Sequence, residues 1–310
     1  MLIKKVTKID PTLRNQTSEK VKVIKELHEM NQFGLSLLFK VTEIAKSVYY
    51  YWIKRFKKTK KDIDIVKSIK QICKESDYTY GYRRVTQALV NKGMTVNHKK
   101  VRRIMKEHQL TCKKFNHKTR KYNSYRGTIG KVARNILKRR FNTDRPYQKV
   151  VTDITEFKLL DGTKAYLSPF MDLYSLEILS YRISKRPTID IVIEPLNELL
   201  TMRPQLFYRM TIHSDQGWHY QNRNYIESLK EHDVFQSMSR KGNCLDNASM
   251  ENFFGLLKQE MYYGQSFETF QELEQSIHKY INFYNNTRIK AKLKGLSPKQ
   301  YRKQTFKIVY

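Results

Sequence analysis

The stretch VVTDITEF (150–157) places an ionisable side chain, Asp153, inside a β-branched and apolar run. Val, Ile, Thr and Phe favour a strand that packs against a core, so we predict a β-strand over residues 149–157. Burying an unpaired carboxylate in such a strand is unfavourable, and an acid kept there usually has a task. Asp153 is therefore the first candidate for a functional residue.

Two further acids lie at the ends of predicted elements. Asp215, in IHSDQG (212–217), is separated from Asp153 by 61 residues and follows a predicted strand, although a plain turn residue would look the same. Glu251, in MENFF (250–254), comes after 35 more residues, in the first turn of a predicted helix. Carboxylates on ordered elements can converge on paired divalent metals, which serve reactions at phosphodiesters.

Other acids compete for a place in this site. Glu260 lies nine residues beyond Glu251, about 180° around a helix, so the two cannot face the same metals. Asp172, inside FMDLY (170–174), is interpreted as structural or as a support for the ligands. The predicted catalytic and metal-binding set is therefore Asp153, Asp215 and Glu251, with two Mg²⁺ or Mn²⁺ ions as cofactors.

The order of the predicted elements indicates an α/β domain. Three strands form an antiparallel meander, and helices then alternate with strands, which gives a mixed five-stranded sheet flanked by helices. This order is RNase H-like. The predicted strands are 149–157, 165–173, 176–183, 209–213 and 234–238, and the predicted helices are 188–200, 220–231, 249–263 and 267–284.

Positive charge is concentrated in the first half of the chain. The 310 residues have a formal net charge of +31, and residues 1–150 contain 39 Lys and Arg against 11 Asp and Glu. A basic half of this size implies a polyanionic partner. Nucleic acid is the partner we expect, because each neutralised phosphate releases counterions. Nonspecific attraction to RNA, without a dedicated site, is the alternative.

The basic half shows the periodicity of short helices. Residues 18–57 are interpreted as helices around a break at Gly34, and residues 62–110 repeat the pattern. Asn97 is placed to cap a helix over 98–108 with a basic outer face and an apolar inner face. This is typical of a recognition helix, although a solvated basic face would look similar. The DNA contacts expected here are Arg83, Arg84, Lys99, Lys100, Arg102 and Arg103.

Basic residues near the acids are also expected to contact DNA. Lys258 lies seven residues after Glu251, on the same helix face, although it could be simply solvated. Arg240 and Lys241 lie in a polar loop that precedes this helix. Residues 113–146 are interpreted as a basic linker that follows the phosphate backbone.

At these residues the chain resembles the second-frame (OrfB-type) transposases of bacterial insertion sequences, in the retroviral-integrase superfamily. The resemblance covers about residues 35–303. It assigns the catalytic acids to Asp153, Asp215 and Glu251 and a basic residue to Lys258, and Arg288 is a further expected DNA contact. The stretches that carry it are TYGYRRV, VNHKKVRRIMKE, VTDITEF, AYLSPFMDLYS, IHSDQGWHY, SMSRKGNCLDNASMENFFGLLKQE and YINFYNNTRIKAKLKGLSPKQYR.

The resemblance implies an RNase H-like integrase core that uses Mg²⁺ or Mn²⁺ to cleave 3′ ends of the element and transfer them to target DNA. The expected partners are double-stranded DNA (terminal inverted repeats and target), further copies of this chain assembled on DNA, and a first-frame protein. The chain could equally act alone or as a frameshift fusion. The expected domains are 1–60 (helix-turn-helix-like), 61–112 (second helix-turn-helix), 113–146 (basic linker), 147–264 (catalytic core) and 265–310 (helical extension).

Two other functions fit the same residues. A regulator derived from a transposase would bind DNA without cutting it, and an RNase H-like nuclease would cut without strand transfer. The three dispersed cysteines, and the lack of an 18-residue apolar run or an apolar leader, predict a cytoplasmic protein. We expect it at the nucleoid when bound to DNA, and not at a membrane.

Overall fold

The computed structural model describes residues 16–30, 33–112, 114–115, 132–240 and 244–306. The chain divides between Gln71 and Ile72 into two compact units. Across the described residues, none of the helices combines the length and the apolar character needed to cross a membrane. Lys241 and residues 116–131 of the predicted linker lie outside the described ranges, so what was predicted for them stays a prediction.

The first unit is built from helices. Val21 and Ile24 recur at helical spacing, which gives the first helix an apolar face, and both are buried together with Leu38 and Tyr49 from the next two helices. The predicted break at Gly34 is where the second helix begins. The elements are α1 (Gln16–Glu29), α2 (Leu35–Thr42) and α3 (Lys46–Lys61).

Three more helices precede the sheet: α4 (Ile63–Glu75), α5 (Tyr82–Asn91) and α6 (His98–Glu107). Asn97 caps α6 as predicted, because its side chain accepts a hydrogen bond from the Lys99 N–H at 2.8 Å. The inner face of α6 is buried, and Lys99, Arg102 and Arg103 are exposed on the other side. The two-faced helix expected from the sequence is therefore confirmed.

The second unit contains one mixed sheet in the order β4–β3–β1–β5–β6, with β2 also paired to β3. β1, β2 and β4 run antiparallel to β3, whereas β5 runs parallel to β1 and β6 parallel to β5. The strands are β1 (Lys149–Thr152), β2 (Thr155–Lys158), β3 (Lys164–Asp172), β4 (Ile178–Ser184), β5 (Thr211–Ser214) and β6 (Phe235–Met238).

The predicted strand at 149–157 is interrupted at Asp153. Thr152 lies opposite Phe170 and Thr155 lies opposite Leu167, so the register along β3 continues unchanged across the interruption. β1 and β2 are thus two parts of one line in the sheet. If β1 and β2 are counted as one strand, the sheet has the five strands predicted. This strand is interrupted at Asp153, the first of the three acids.

Helices cover both faces of the sheet. Successive strand residues point to opposite faces, so Val151 packs with α10 and α11 while Val150 packs with α7 and α9. A π-helical segment, Lys258–Tyr262, continues α10. The helices are α7 (Asp190–Met202), α8 (Trp218–Gln221), α9 (Arg223–Glu231), α10 (Ala248–Leu257), α11 (Phe270–Asn286) and α12 (Pro298–Thr305).

Candidate active site

Asp153 and Asp215 meet at one edge of the sheet. β1 and β5 are parallel neighbours, with Val151 opposite His213, so their carboxyl ends lie side by side. Asp153 directly follows β1, and Asp215 directly follows β5. The carboxyl ends of parallel strands are the usual position of ligand sites in open α/β sheets, and both acids occupy it here.

Backbone N–H groups orient both carboxylates. Asp153 Oδ1 accepts a hydrogen bond from the Ile154 N–H at 2.8 Å, and Asp215 Oδ1 accepts one from the Gly217 N–H at 2.8 Å. A Cβ atom at Gly217 would lie 2.9 Å from that same Asp215 oxygen. Residue 217 must therefore be glycine if the turn is to hold the carboxylate in this position.

The two carboxylates disfavour each other's charge. Burial, followed by the charge of Asp215, raises the pKa of Asp153 to about 8. Burial also raises the pKa of Asp215. Two acids that share a site cannot both ionise easily unless a cation joins them. A cation bound between Asp153 and Asp215 would therefore stabilise the ionised form of both carboxylates.

Glu251 approaches the pair from the first turn of α10. Its side chain is exposed, and its charge is a smaller contribution to the raised pKa of Asp153. Within the described ranges, no three His, Cys, Asp or Glu side chains are grouped so that they could hold a metal ion. The structure thus brings Asp153 and Asp215 together, with Glu251 near enough to act by its charge.

The residues at the pair fit hard divalent cations. Mg²⁺ and Mn²⁺ take oxygen ligands, and Mg²⁺ retains several waters instead of requiring a complete protein cage. Asp153 and Asp215 supply carboxylate oxygens with a fixed orientation, and a dication would offset both the burial and the Asp215 charge that raise the pKa of Asp153. Two fixed acids with an exposed third suit such an ion.

Lys258 lies close enough to Asp153 for their charges to interact. Its Nζ is 5.2 Å from the centre of the Phe157 ring, and burial lowers its pKa, against the opposing effect of the Glu156 and Asp153 charges. The π-helical segment begins at this residue, and such segments often mark functional sites. Lys258 therefore supplies positive charge at the edge of the candidate site.

Arg288 and Arg84 require a correction, because both were predicted to contact DNA. Arg288 is 1% exposed, and its Nε and terminal nitrogen donate to the two carboxylate oxygens of Glu260 at 2.7 and 2.5 Å. Arg84 extends one nitrogen to 3.6 Å from the same carboxylate. The prediction for Arg288 is wrong, and Arg84 is directed toward the protein interior. Together they neutralise Glu260, which cannot serve as a metal ligand.

Arg240 is held by a buried acid. Its backbone N–H and its guanidinium both donate to Asp246, as does the Nε of Arg139, so the pKa of Asp246 falls far below its usual value. Hydrogen bonds from the arginines overcome the effect of burial. Arg240 itself remains on the surface, where its side chain can still meet a phosphate.

The basic residues of the helix-turn-helix segment lie on an open surface. Arg83, Lys99, Arg102 and Arg103 are exposed, and Lys100 is half-buried. The guanidinium carbons of Arg83 and Arg102 lie 5.8 and 5.7 Å from the centre of the Tyr82 ring. Both side chains are therefore held near Tyr82, the first residue of α5. Arg103 forms an ion pair with Glu107 at 2.9 Å.

Asp172 has a structural position. It is buried and accepts hydrogen bonds from the Tyr147 N–H at 3.0 Å and from the N–H and hydroxyl of Ser175 at 2.9 and 2.7 Å. These bonds oppose the burial that raises its pKa to about 6. Asp172 closes the turn between β3 and β4.

Two residues of this site were not predicted from the sequence. Tyr220 is buried beneath the two aspartates, which add to the effect of burial in raising the pKa of its phenol. Asn247 lies at the end of β1, where its Nδ2 donates to the Thr152 carbonyl at 3.4 Å. The signal for Tyr220 is its place in IHSDQGWHY, five residues after Asp215. The signal for Asn247 is a helix-capping residue type four residues before Glu251.

Known protein families match most of the described chain. An HTH-like domain matches residues 60–119, and the integrase core domain matches residues 143–244 and, through a second family of the same description, residues 251–306. Among solved structures, the HTLV-2 integrase catalytic core domain in complex with magnesium (trimeric form) superposes with a TM-score of 0.39 at 17% identity, covering 50% of this chain and 96% of that one.

Curated relatives match over nearly the whole length. The putative transposase InsK for insertion sequence element IS150 of Escherichia coli (strain K12) is 45% identical over 285 residues, which is 91% of this chain and 99% of that protein. The transposase InsF for insertion sequence IS3A of the same organism is 30% identical over 281 residues, 87% of this chain and 94% of that protein. At this identity and coverage, the chain belongs to the IS3 family of insertion-sequence transposases, with an HTH-like domain before an integrase core.

Proposed function

We propose that this transposase cleaves the 3′ ends of its insertion sequence and transfers them to target DNA in a metal-dependent reaction. The observation that carries the proposal is the pair formed by Asp153 and Asp215 at the ends of neighbouring parallel strands. Burial and then the charge of Asp215 raise the pKa of Asp153, as expected for a site that is complete only with a cation.

Asp153, Asp215 and Glu251 would hold the ions. Two divalent ions bound at a phosphodiester activate the attacking oxygen and stabilise the leaving 3′ oxygen. The aspartates are fixed by backbone N–H groups, and Glu251, which is exposed, is free to adjust when DNA arrives. Lys258, beside Asp153, would contact the phosphate.

The proposed reaction has two phosphoryl-transfer steps. A water oxygen first attacks the phosphorus at the end of the element, the P–O3′ bond breaks, and the element keeps a 3′-OH while the flank keeps the phosphate. That 3′ oxygen then attacks a phosphorus of the target, and the target P–O3′ bond breaks to release a new 3′-OH. Each nucleophile loses one proton and each leaving oxygen gains one, so nothing else is consumed.

The DNA contacts proposed for the helix-turn-helix segment are Arg83, Lys99, Lys100, Arg102 and Arg103. The surface is basic and mostly exposed, and all but Arg83 lie on the capped helix α6, as is typical of major-groove recognition. In the core we retain Lys258, Arg240 and Lys241. The five-part division into domains, with boundaries after 60, 112, 146 and 264, is part of the same proposal.

Pairing two ends of an element requires more than one copy of the chain. We therefore propose an oligomer that assembles on the inverted repeats. Whether a first-frame protein joins this assembly can be tested by adding it to the purified chain. An increase in joining, or in the size of the DNA complex, would identify it as a partner.

A strand-transfer assay with a pre-cut 3′-OH end tests the proposed function. The substrates are duplexes that carry the inverted repeats flanking this gene, with Mg²⁺ or Mn²⁺, and the variant is Asp215→Asn. We expect wild-type joining, no joining by the variant, and equal DNA binding. Asp161→Asn, on an exposed turn, is the matched control and should join normally.

The other outcomes separate the alternatives. Cleavage without joining of a pre-cut end would identify a nuclease that lacks strand transfer. Binding to the repeats with neither activity, in either metal, would identify a non-catalytic regulator. Joining by Asp215→Asn at the wild-type rate would overturn the assignment of the metal site.

A further inference from the structure

Asn247 occupies the position before α10 where a capping side chain is expected. Asn is among the strongest N-cap residues, because its side-chain oxygen can accept a hydrogen bond from the free N–H groups of the first turn. Here the Asn247 side chain makes no capping hydrogen bond, although Asn97 and Asn222 cap their own helices. The side chain of Asn247 is therefore directed elsewhere.

The Asn247 side chain reaches the end of β1. Its Nδ2 donates to the carbonyl of Thr152, the residue directly before Asp153, at 3.4 Å. The residue is 5% exposed, and its Oδ1 is buried without a partner among the residues that the structure describes. A buried oxygen without a hydrogen-bond partner is unfavourable, so this conformation sacrifices stability.

The preceding residue fixes the same turn from the opposite side. Asp246 accepts hydrogen bonds from Asn135 at 3.0 Å and from Arg139 at 3.0 Å, in addition to those from Arg240. The backbone in front of α10 is therefore held by the 132–141 segment on one side and by β1 on the other. Glu251 lies one helical turn further along.

We propose that Asn247 is a positioning residue that holds the end of β1, which Asp153 directly follows, and the start of the Glu251 helix in one relative geometry. The proposal rests on the proposed function, in which both acids bind the same pair of metal ions. Asn247 would bind neither metal nor DNA. Its effect would reach the metals through Asp153, as side chains that orient metal ligands commonly do.

Asn247→Ser separates positioning from capping. Serine is an equally good N-cap but is too short to reach Thr152 or Asp153, so the helix should be retained while the link to β1 is lost. Loss of a residue that orients a metal ligand typically weakens metal affinity by about 10-fold to 100-fold. We therefore expect Mn²⁺ binding, measured by calorimetry without DNA, to weaken by at least 10-fold, with unchanged affinity for the inverted repeats.

Asn285→Ser is the matched control. Asn285 also links a helix to a strand, because it accepts from the Ile178 N–H at 2.9 Å and donates to the Ile178 carbonyl at 2.8 Å, but it joins α11 to β4. This variant should be less stable in thermal unfolding and should bind Mn²⁺ as the wild type does. If Asn247→Ser does not fold, Asn247→Gly replaces it, since glycine is also tolerated at an N-cap.

Two results would overturn the proposal. One is Mn²⁺ affinity unchanged in the folded Asn247 variant, and the other is an equal loss of affinity in Asn285→Ser. The calorimetric measurement is independent of the reaction. If wild-type protein binds Mn²⁺ and the Asn247 variant binds it weakly, yet neither joins DNA, the positioning role stands and the proposed function fails.

Discussion

Arg288→Met should lower the unfolding temperature of the second unit while leaving DNA binding intact. Methionine preserves the length of the side chain but removes the charge that faces Glu260. The guanidinium is 1% exposed and the carboxylate of Glu260 is fully buried. Two short hydrogen bonds would be lost, while Tyr280, donating at 3.0 Å, and Arg84, at 3.6 Å, would remain to compensate the acid.

The magnitude follows from the burial. Removing one partner of a buried ion pair costs about 3–5 kcal/mol, because the other charge is left uncompensated. In a unit of this size, each kcal/mol corresponds to about 2–4 °C, which gives a range of about 6–20 °C. Arg84 retains part of the compensation, so we expect a decrease of about 10 °C.

The control is the same substitution in an exposed ion pair. Arg182 and Glu194 approach to 2.7 Å, but their side chains are 56% and 49% exposed. Such surface pairs are worth about 0–1 kcal/mol, so Arg182→Met should lower the unfolding temperature by less than about 4 °C. Circular dichroism would follow the unfolding of both variants. Fluorescence anisotropy with an inverted-repeat duplex would give their DNA affinity at a temperature 20 °C below the lower of the two unfolding transitions.

Two results would refute this reasoning. Equal changes in Arg288→Met and Arg182→Met would show that burial does not set the energy of the Glu260 pair. Unchanged stability combined with weakened DNA binding in Arg288→Met would restore the interpretation made from the sequence, in which this arginine contacts DNA.

Three further outcomes are expected. In metal-free protein, folded Asp153 keeps its proton up to about pH 8 whereas the unfolded chain releases it near pH 4, so the free energy of unfolding should fall as pH rises through this window. Urea titrations at pH 5 and pH 8 should show this, and both Mg²⁺ at pH 8 and Asp153→Asn should reduce the difference. Lys258→Met should slow strand transfer in single-turnover assays while leaving binding to the inverted repeats nearly unchanged, and normal joining would exclude Lys258 from the site. Arg102→Ala should weaken binding to the inverted repeats and reduce the slope of log K against log salt by about one, as the loss of one phosphate contact requires.

The fold, and the positions of Asp153 and Asp215 at the ends of strands, could be predicted because their signals are local. Alternating β-branched residues mark the strands, an apolar stripe marks each amphipathic helix, and an acid at the end of a strand stands out against its neighbours. Asn97 followed by a two-faced basic helix is a signal of the same kind, and the structure reproduces it. Each of these signals depends on residues that are close together in the sequence.

The remaining features depend on contacts between distant segments. Arg288 was expected to contact DNA, whereas its partner Glu260 lies 28 residues earlier, in the π-helical segment that continues α10. The role of Asn247 is equally hidden, because an Asn before a helix predicts a cap and the structure uses it to reach β1, 95 residues away. The interruption of the first strand at Asp153 could not be predicted either, because it is recognised only from the pairing of β1 and β2 with β3.

Anomalous diffraction from crystals of the DNA complex grown with Mn²⁺ tests the central claim most directly. The account predicts two manganese peaks about 3.5–4 Å apart at the scissile phosphate, contacted by carboxylate oxygens of Asp153, Asp215 and Glu251. Crystals with DNA at the site but no manganese at Asp153 and Asp215, or with Glu251 turned away from both peaks, would contradict it.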